Sequence, residues 1–109
     1  MTPTQMAGRA AGVIARRGNS VTLAGGATAN AVVLMAERDI QKFVARDDGT
    51  PGGRGRVVIV FVFAGSIYGS VSPGDTLTYN GVRYIVETPM YPRQNAGVTI
   101  EFAVACYAP

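Results

Sequence analysis

Asp47 and Asp48 are the one adjacent pair of carboxylates in this chain, and they precede its most glycine-rich stretch. Acid–base or metal chemistry needs convergent ligands that a rigid scaffold holds in place. Here four glycines and one proline follow between positions 49 and 55, and glycine at that density does not hold regular structure. The pair therefore predicts a solvated turn and not a catalytic or metal site.

The segment Gly52–Arg56, with the sequence Gly-Gly-Arg-Gly-Arg, is the second candidate for chemistry. Its backbone N–H groups and guanidiniums could contact phosphates. A phosphate-binding loop, however, lies between a strand and a helix and continues with Lys-Ser or Lys-Thr. This segment lacks both the strand–loop–helix context and the Lys-Ser or Lys-Thr pair. We interpret it as a flexible spacer with two solubilising arginines.

Histidine, the commonest general base and metal ligand, is absent from the sequence. Cys106 is the only cysteine, so no intrachain disulfide can form, and its alternating context predicts a small core residue. We therefore expect that the protein is not an enzyme and that it binds no cofactor and no metal ion.

The composition predicts one domain, residues 1–109, that has partners. Only 16% of the residues are charged and 48% are hydrophobic, so part of the apolar surface is expected to be covered by other subunits. The net charge is +3, and nine of the ten cations are scattered arginines, unlike the dense basic stripe of a DNA-binding domain. No apolar run reaches the roughly 18 residues of a membrane span, and no secretory signal is evident. We expect a protein of the reducing cytoplasm, or of an assembly built there.

Residues 2–17 are predicted to form the single helix. Thr2 is a suitable N-cap, with Pro3 in the first turn and Gln5 three residues after the cap, and Gly18 ends the helix. Its apolar stripe could pack either on the chain's own barrel or on a neighbouring subunit. The stripe consists of Met6, Ala10, Val13 and Ile14.

The pattern of the remaining residues predicts a mainly β fold, a small β-barrel of about six strands formed by residues 20–36 and 57–106. Residues 37–56 are predicted to be a long mobile loop inserted in this barrel. A polar loop is expected from Pro89 to Ala96. The strands are predicted at 20–24, 29–36, 57–63, 76–79, 82–87 and 97–106.

Seven consecutive apolar residues, Val57–Phe63, indicate a strand that is buried on both faces or lies between subunits. Its alternate side chains are candidates for a subunit interface: Val57, Ile59, Phe61 and Phe63. The last strand alternates cleanly, with Val98, Ile100, Phe102, Val104 and Cys106 on one face.

Two tight turns are predicted in the C-terminal half. Pro73 and Gly74 fit a type II turn, and Asp75 is expected to accept hydrogen bonds from backbone amides of that turn. Asn80 and Gly81 stand between two short strand-forming runs, which is the strongest local signal of a hairpin.

The order Pro-Gly-Asp (73–75), Asn-Gly (80–81) and Arg-Tyr-Ile-Val (83–86) resembles the core pattern of the head-closure and head–tail joining (connector, or neck) proteins of tailed bacteriophages. The resemblance implies a structural virion protein, assembled in the host cytoplasm, that forms a homo-oligomeric ring at the neck. A portal or adaptor protein would lie on the head side, and a tail terminator or tail tube on the tail side. The ring would seal the DNA channel with loops that project into its lumen and could contact packaged DNA. By position, the lumen-loop residues would be Ile40, Lys42, Phe43, Arg46, Asp47, Asp48, Arg54 and Arg56.

Two alternatives stay open. The N-terminal helix is longer than the head-closure pattern suggests, which leaves an adaptor or a tail-completion (terminator) protein. A small barrel of the OB or SH3-like type could instead bind nucleic acid, with Arg83, Arg93 and Gly52–Arg56 supplying cations and Tyr79 and Tyr84 offering surfaces for base stacking.

Overall fold

The computed structural model describes residues 2–36, 38, 40, 57–87 and 91–108. Within these ranges the chain forms the helix α1 and seven strands, and no described helix is long and apolar enough to cross a membrane. Arg38 and Ile40, at the start of the predicted loop, are also helical, and the Ile40 N–H donates to the Ala36 carbonyl at 3.0 Å. A 3₁₀ segment, Gly65–Ser70, follows the third strand and was not predicted from the sequence. The elements are α1 (Pro3–Arg17), β1 (Asn19–Thr22), β2 (Thr28–Leu34), β3 (Val57–Ala64), β4 (Thr76–Tyr79), β5 (Val82–Val86), β6 (Tyr91–Asn95) and β7 (Val98–Tyr107).

Helix α1 begins as the sequence predicts. The Thr2 hydroxyl accepts a hydrogen bond from the Gln5 backbone N–H (3.1 Å), and the Gln5 side chain accepts one from the Thr2 N–H (2.9 Å). The helix ends at Gly18, whose N–H donates to the Ile14 carbonyl at 2.7 Å. A Cβ atom at position 18 would approach the Ala31 carbonyl oxygen of β2 to 2.8 Å, so the close contact between helix end and sheet favours glycine.

The sheet closes on itself, because the strand order β3-β2-β1-β4-β5-β7 returns to β3 through a β3–β7 pairing. Every pairing is antiparallel, and the closing register sets Phe61 opposite Val104 and Phe63 opposite Phe102. The predicted fold class, a six-stranded barrel with one N-terminal helix, is therefore confirmed. Strand β6 pairs with β7 and extends the sheet beyond the closed barrel.

The barrel interior is filled from alternate positions of the strands. Phe61 lies edge-on to both Tyr79 and Tyr84, with ring centroids 5.9 Å apart in each pair, and Phe63 stacks on Phe102 at 5.4 Å. Of the four residues predicted as a subunit interface, Ile59, Phe61 and Phe63 are completely buried in this core and Val57 is 8% exposed. Burial inside the chain's own fold therefore explains the run of apolar residues in β3. These four side chains are not exposed on the subunit surface.

A second apolar layer covers the outside of the barrel. Helix α1 lies over β7, β2 and β3, and its Ile14 is buried. The helix thus packs on the chain's own barrel through Ile14, which is the first of the two predicted alternatives, while Met6, Ala10 and Val13 of the stripe are half-buried.

The predicted polar loop at Pro89–Ala96 is wrong, because Tyr91–Asn95 forms β6 and makes a hairpin with β7. Ala96 (φ 50°) and Gly97 (φ 82°) form the two-residue turn of that hairpin. Polar side chains and Pro92 conceal the strand in the sequence, yet proline is tolerated where a strand lies at the edge of a sheet.

Candidate functional site

The turn before β4 has the predicted conformation. Gly74 has a φ of 89°, as a type II turn requires, and the Asp75 N–H donates to the Ser72 carbonyl at 3.1 Å. The Asp75 carboxylate accepts a hydrogen bond from the Ser72 backbone N–H at 2.9 Å. The predicted role of Asp75 in its own turn is confirmed, and the position of Pro73 fits it.

The β4–β5 hairpin is also confirmed. Asn80 (φ 52°) and Gly81 (φ 77°) occupy the two positions of a type I′ turn, and Tyr79 pairs with Val82 directly behind it. Val82 leaves 46% of its surface exposed beside the turn. The tip therefore carries an apolar side chain into solvent.

Tyr84 is buried, and Tyr79 is half-buried against the same core cluster. Both rings lie edge-on to Phe61 inside the barrel. Tyr84 is therefore enclosed and unavailable for base stacking, and Tyr79 is partly covered.

The two described ends of the inserted segment meet on the outer face of the barrel. Ile40 is 6% exposed and packs in a cluster with Val57, Val60, Ala103 and Ala105. Ile40, one of the predicted lumen-loop residues, is thus held against β3 and β7. The other predicted lumen-loop residues lie outside the described residues: Lys42, Phe43, Arg46, Asp47, Asp48, Arg54 and Arg56.

A groove runs between α1 and the β6–β7 hairpin, and the sequence did not predict it. One lobe, of about 270 Å³, is lined by Met6, Arg9, Ala10, Val13 and Arg93. The other, of about 370 Å³, shares Ala10, Val13 and Arg93 and continues over β2 and β3. The floor is apolar, and the Met6 sulfur accepts a hydrogen bond from the Asn95 amide (3.4 Å) at one end.

Arg93 is the ordered cation of this groove. Its Nε and Nη2 each lie 2.8 Å from Oε1 of Glu101, across the β6–β7 ladder. Next to them, the Gln94 amide donates to the Thr99 hydroxyl at 3.0 Å. The two-residue turn Ala96-Gly97 alone would set residue 93 opposite residue 100. A register shift between Arg93 and Gln94 sets Arg93 opposite Glu101 instead, and no residue pattern indicates that shift.

Charge is distributed unevenly over the described residues, which include six arginines and three carboxylates. Each carboxylate is already engaged or enclosed: Asp75 binds its own turn, Glu101 binds Arg93, and Glu87 is 6% exposed. Helix α1 carries three arginines, Arg9, Arg16 and Arg17, and no acidic residue. The described surface is therefore cationic, and most strongly so along α1.

The remaining reactive group, Cys106, is fully buried as predicted. Burial first, and the nearby Glu87 carboxylate second, raise the pKa of the Cys106 thiol from 9.0 to about 12. Among the described residues Oε2 of Glu87 has no hydrogen-bond partner, and the Glu87 backbone N–H donates to the Ala105 carbonyl at 2.8 Å. A thiol held neutral in this way is a core residue and a poor nucleophile.

The part of the chain that the structure describes contains no group of three or more histidine, cysteine or acidic side chains placed to hold a metal ion. No protein-family model matches the sequence, and no curated protein is significantly similar to it.

Proposed function

We propose that this chain is a structural protein of tailed-bacteriophage virions, which forms a ring at the head–tail interface and closes the DNA channel. The observation that carries the proposal is the geometry of the two turns in the phage-like pattern. The first turn, Pro73-Gly74-Asp75, is of type II, and the second, Asn80-Gly81, is of type I′. Both turn types need positive φ angles, which glycine and asparagine tolerate. The first turn leads into β4 and the second joins β4 to β5, within a closed barrel, which is the fold that the resemblance implies.

The position of the insert supports the same proposal. Ile40 and Val57, which flank residues 41–56 in the sequence, pack in one cluster on the outer face of β3 and β7. The two described ends of the insert are therefore held at one place on the barrel, as the proposal requires. The partners in this proposal are further copies of the chain, a portal or adaptor on the head side, and a tail terminator or tail tube on the tail side.

The nucleic-acid alternative receives less support. Tyr79 and Tyr84, the two rings considered for base stacking, pack against Phe61, and Arg93 is paired with Glu101. Arg83 is exposed. Binding through phosphates would weaken steeply with added salt because counterions are released. Measurable, salt-sensitive binding of the purified barrel to short DNA at low salt would favour this alternative.

The direct test is localisation and loss of function in particles made from the genome that encodes the chain. Gold-labelled antibodies against the protein should bind at the neck of the virion. Particles assembled without it should package DNA and then lose it, or fail to attach tails. Label elsewhere in the particle, or normal infectivity without the protein, would refute the proposal.

A further inference from the structure

We propose that the groove between α1 and the β6–β7 hairpin binds an acidic segment of another protein. That segment places an apolar side chain on the groove floor and a carboxylate between Arg9 and Arg93. The inference rests on the groove itself and does not depend on the proposed function.

The floor provides the apolar part of the site. Ala10 and Val13 line both lobes, and Met6 closes one end, so a side chain entering the groove would remove its own and these apolar surfaces from water. Burial of one leucine-sized side chain contributes roughly 1.5–3 kcal/mol. This contribution favours a peptide with an apolar anchor over a bare anion.

The two arginines provide the charged part. Glu101 uses one oxygen to hold Arg93 by Nε and Nη2, so the guanidinium is oriented before any ligand arrives and has N–H donors left. Arg9 lines the same lobe from α1, where no acidic residue accompanies it. A preorganised guanidinium loses less freedom on binding and is suited to a carboxylate.

The charges of the described surface favour an acidic occupant, because the described residues include six arginines and three carboxylates. The described carboxylates of this chain bind a turn, bind Arg93 or are buried, so a second copy of the barrel offers the groove no free acidic group from those residues. Nucleic acid fits less well, because the groove has an apolar floor and a carboxylate, Glu101, on its wall.

The test uses the isotopically labelled full chain and a short synthetic peptide in which aspartates flank a leucine and a phenylalanine. Backbone NMR signals of Met6–Ile14 and of Arg93 should shift on titration, with a Kd of about 1 mM or tighter. A control peptide with asparagine in place of aspartate should bind at least about tenfold more weakly.

Two substitutions should reduce binding of the acidic peptide by about tenfold or more: Arg9→Glu, which reverses the charge, and Ala10→Leu, which fills the floor. Arg17→Glu is the matched control, because it makes the same charge change on the same helix outside the groove, and it should bind almost normally. Unchanged spectra away from the groove would show that each variant is folded.

Five results would overturn the proposal. The labelled chain could show no shifts up to millimolar peptide, the asparagine peptide could bind equally well, or Arg17→Glu could weaken binding as much as Arg9→Glu. Single-stranded DNA of the same charge as the acidic peptide could shift the same NMR signals more strongly than the peptide does, which would assign the groove to nucleic acid. Finally, the groove substitutions could change self-association of the chain instead of peptide binding, which would assign the groove to a second copy.

Discussion

A single carboxylate oxygen of Glu101, Oε1, binds the guanidinium of Arg93, with both Nε and Nη2 at 2.8 Å. The Arg93 side chain is 55% exposed and that of Glu101 29%, so water screens much of their attraction. Such pairs contribute about 0–1 kcal/mol to stability. The pair therefore serves better to orient Arg93 than to stabilise the barrel.

A double-mutant cycle with Arg93→Gln and Glu101→Gln measures this. We expect a coupling free energy below about 1 kcal/mol that shrinks further at high salt. Urea unfolding of the four proteins at low and high salt gives the value. A coupling of several kcal/mol, insensitive to salt, would mean that the pair is part of the stabilising core.

The two type I′ turns contain different residues at their first position, and this predicts opposite effects of two substitutions. Asn80 tolerates its φ of 52°, whereas Ala96 adopts 50° at a cost of roughly 1–2 kcal/mol. Ala96→Asn should therefore raise the free energy of unfolding by about 0.5–1 kcal/mol, and Asn80→Ala should lower it by a similar amount. Thermal unfolding of both variants checks the signs, and a destabilised Ala96→Asn variant would contradict the turn geometry.

The two faces of β3 should respond differently to a buried charge. Phe61 is completely enclosed among aromatic rings, while Val58 is 37% exposed on the same strand. An unpaired carboxylate in the core costs several kcal/mol, so Phe61→Asp should prevent folding. Val58→Asp, the matched control, should fold with a change of about 1 kcal/mol or less. Circular dichroism and solubility distinguish the two, and a folded Phe61→Asp protein would place this side chain outside the core.

Local signals explain most of what the sequence predicted correctly. The α1 cap needs only Thr2, Pro3 and Gln5, and the β4–β5 hairpin needs only Asn80 and Gly81 between short strands. These interactions join residues a few positions apart, so their conformations follow from residue type. The inward face of β7 was equally readable, because Ile100, Phe102, Val104 and Cys106 are all buried. The other face was not, because Ala103 and Ala105 are also buried, in the cluster around Ile40.

The features that were missed depend on distant contacts or on disguised residues. Strand β6 was hidden by Pro92 and by a turn that uses Ala96 where asparagine is expected. The groove was unpredictable for a different reason: it requires the N-terminal Met6 to meet Asn95 near the other end of the chain. Nothing in either local sequence specifies that meeting, since it results from the packing of α1 on the closed barrel.

Gly65 is predicted to be the least replaceable described glycine outside the turns. A Cβ at this position would overlap the Thr99 carbonyl oxygen of β7, whereas a Cβ at Gly69 meets nothing within 4 Å. Gly65→Ala should destabilise the protein by at least about 2–3 kcal/mol, because backbone must move to relieve the overlap. Gly69→Ala, in the same 3₁₀ segment, should have a small effect. Equal unfolding midpoints for the two variants would show that β7 does not approach Gly65 this closely.

The Cys106 thiol makes stability depend on pH in the alkaline range. In the unfolded chain this group ionises near its ordinary pKa of 9.0, whereas in the folded barrel burial and the Glu87 charge raise the pKa to about 12. Between these values the unfolded state binds fewer protons than the folded state, so the free energy of unfolding falls as pH rises. The contribution is fully present below about pH 9 and is lost towards pH 12, with a slope of at most about 1.4 kcal/mol per pH unit.

Comparison with Cys106→Ala isolates this effect, since tyrosines and other alkaline groups titrate alike in both proteins. The difference in the free energy of unfolding between the two proteins should be constant from pH 7 to about 9 and then shift steadily against the wild type. In the same range a thiol reagent should modify folded wild-type protein slowly and the unfolded chain rapidly, because only the thiolate reacts. Parallel pH profiles, or rapid labelling of the folded protein near pH 8, would show that the sulfur is accessible and that its pKa is not raised.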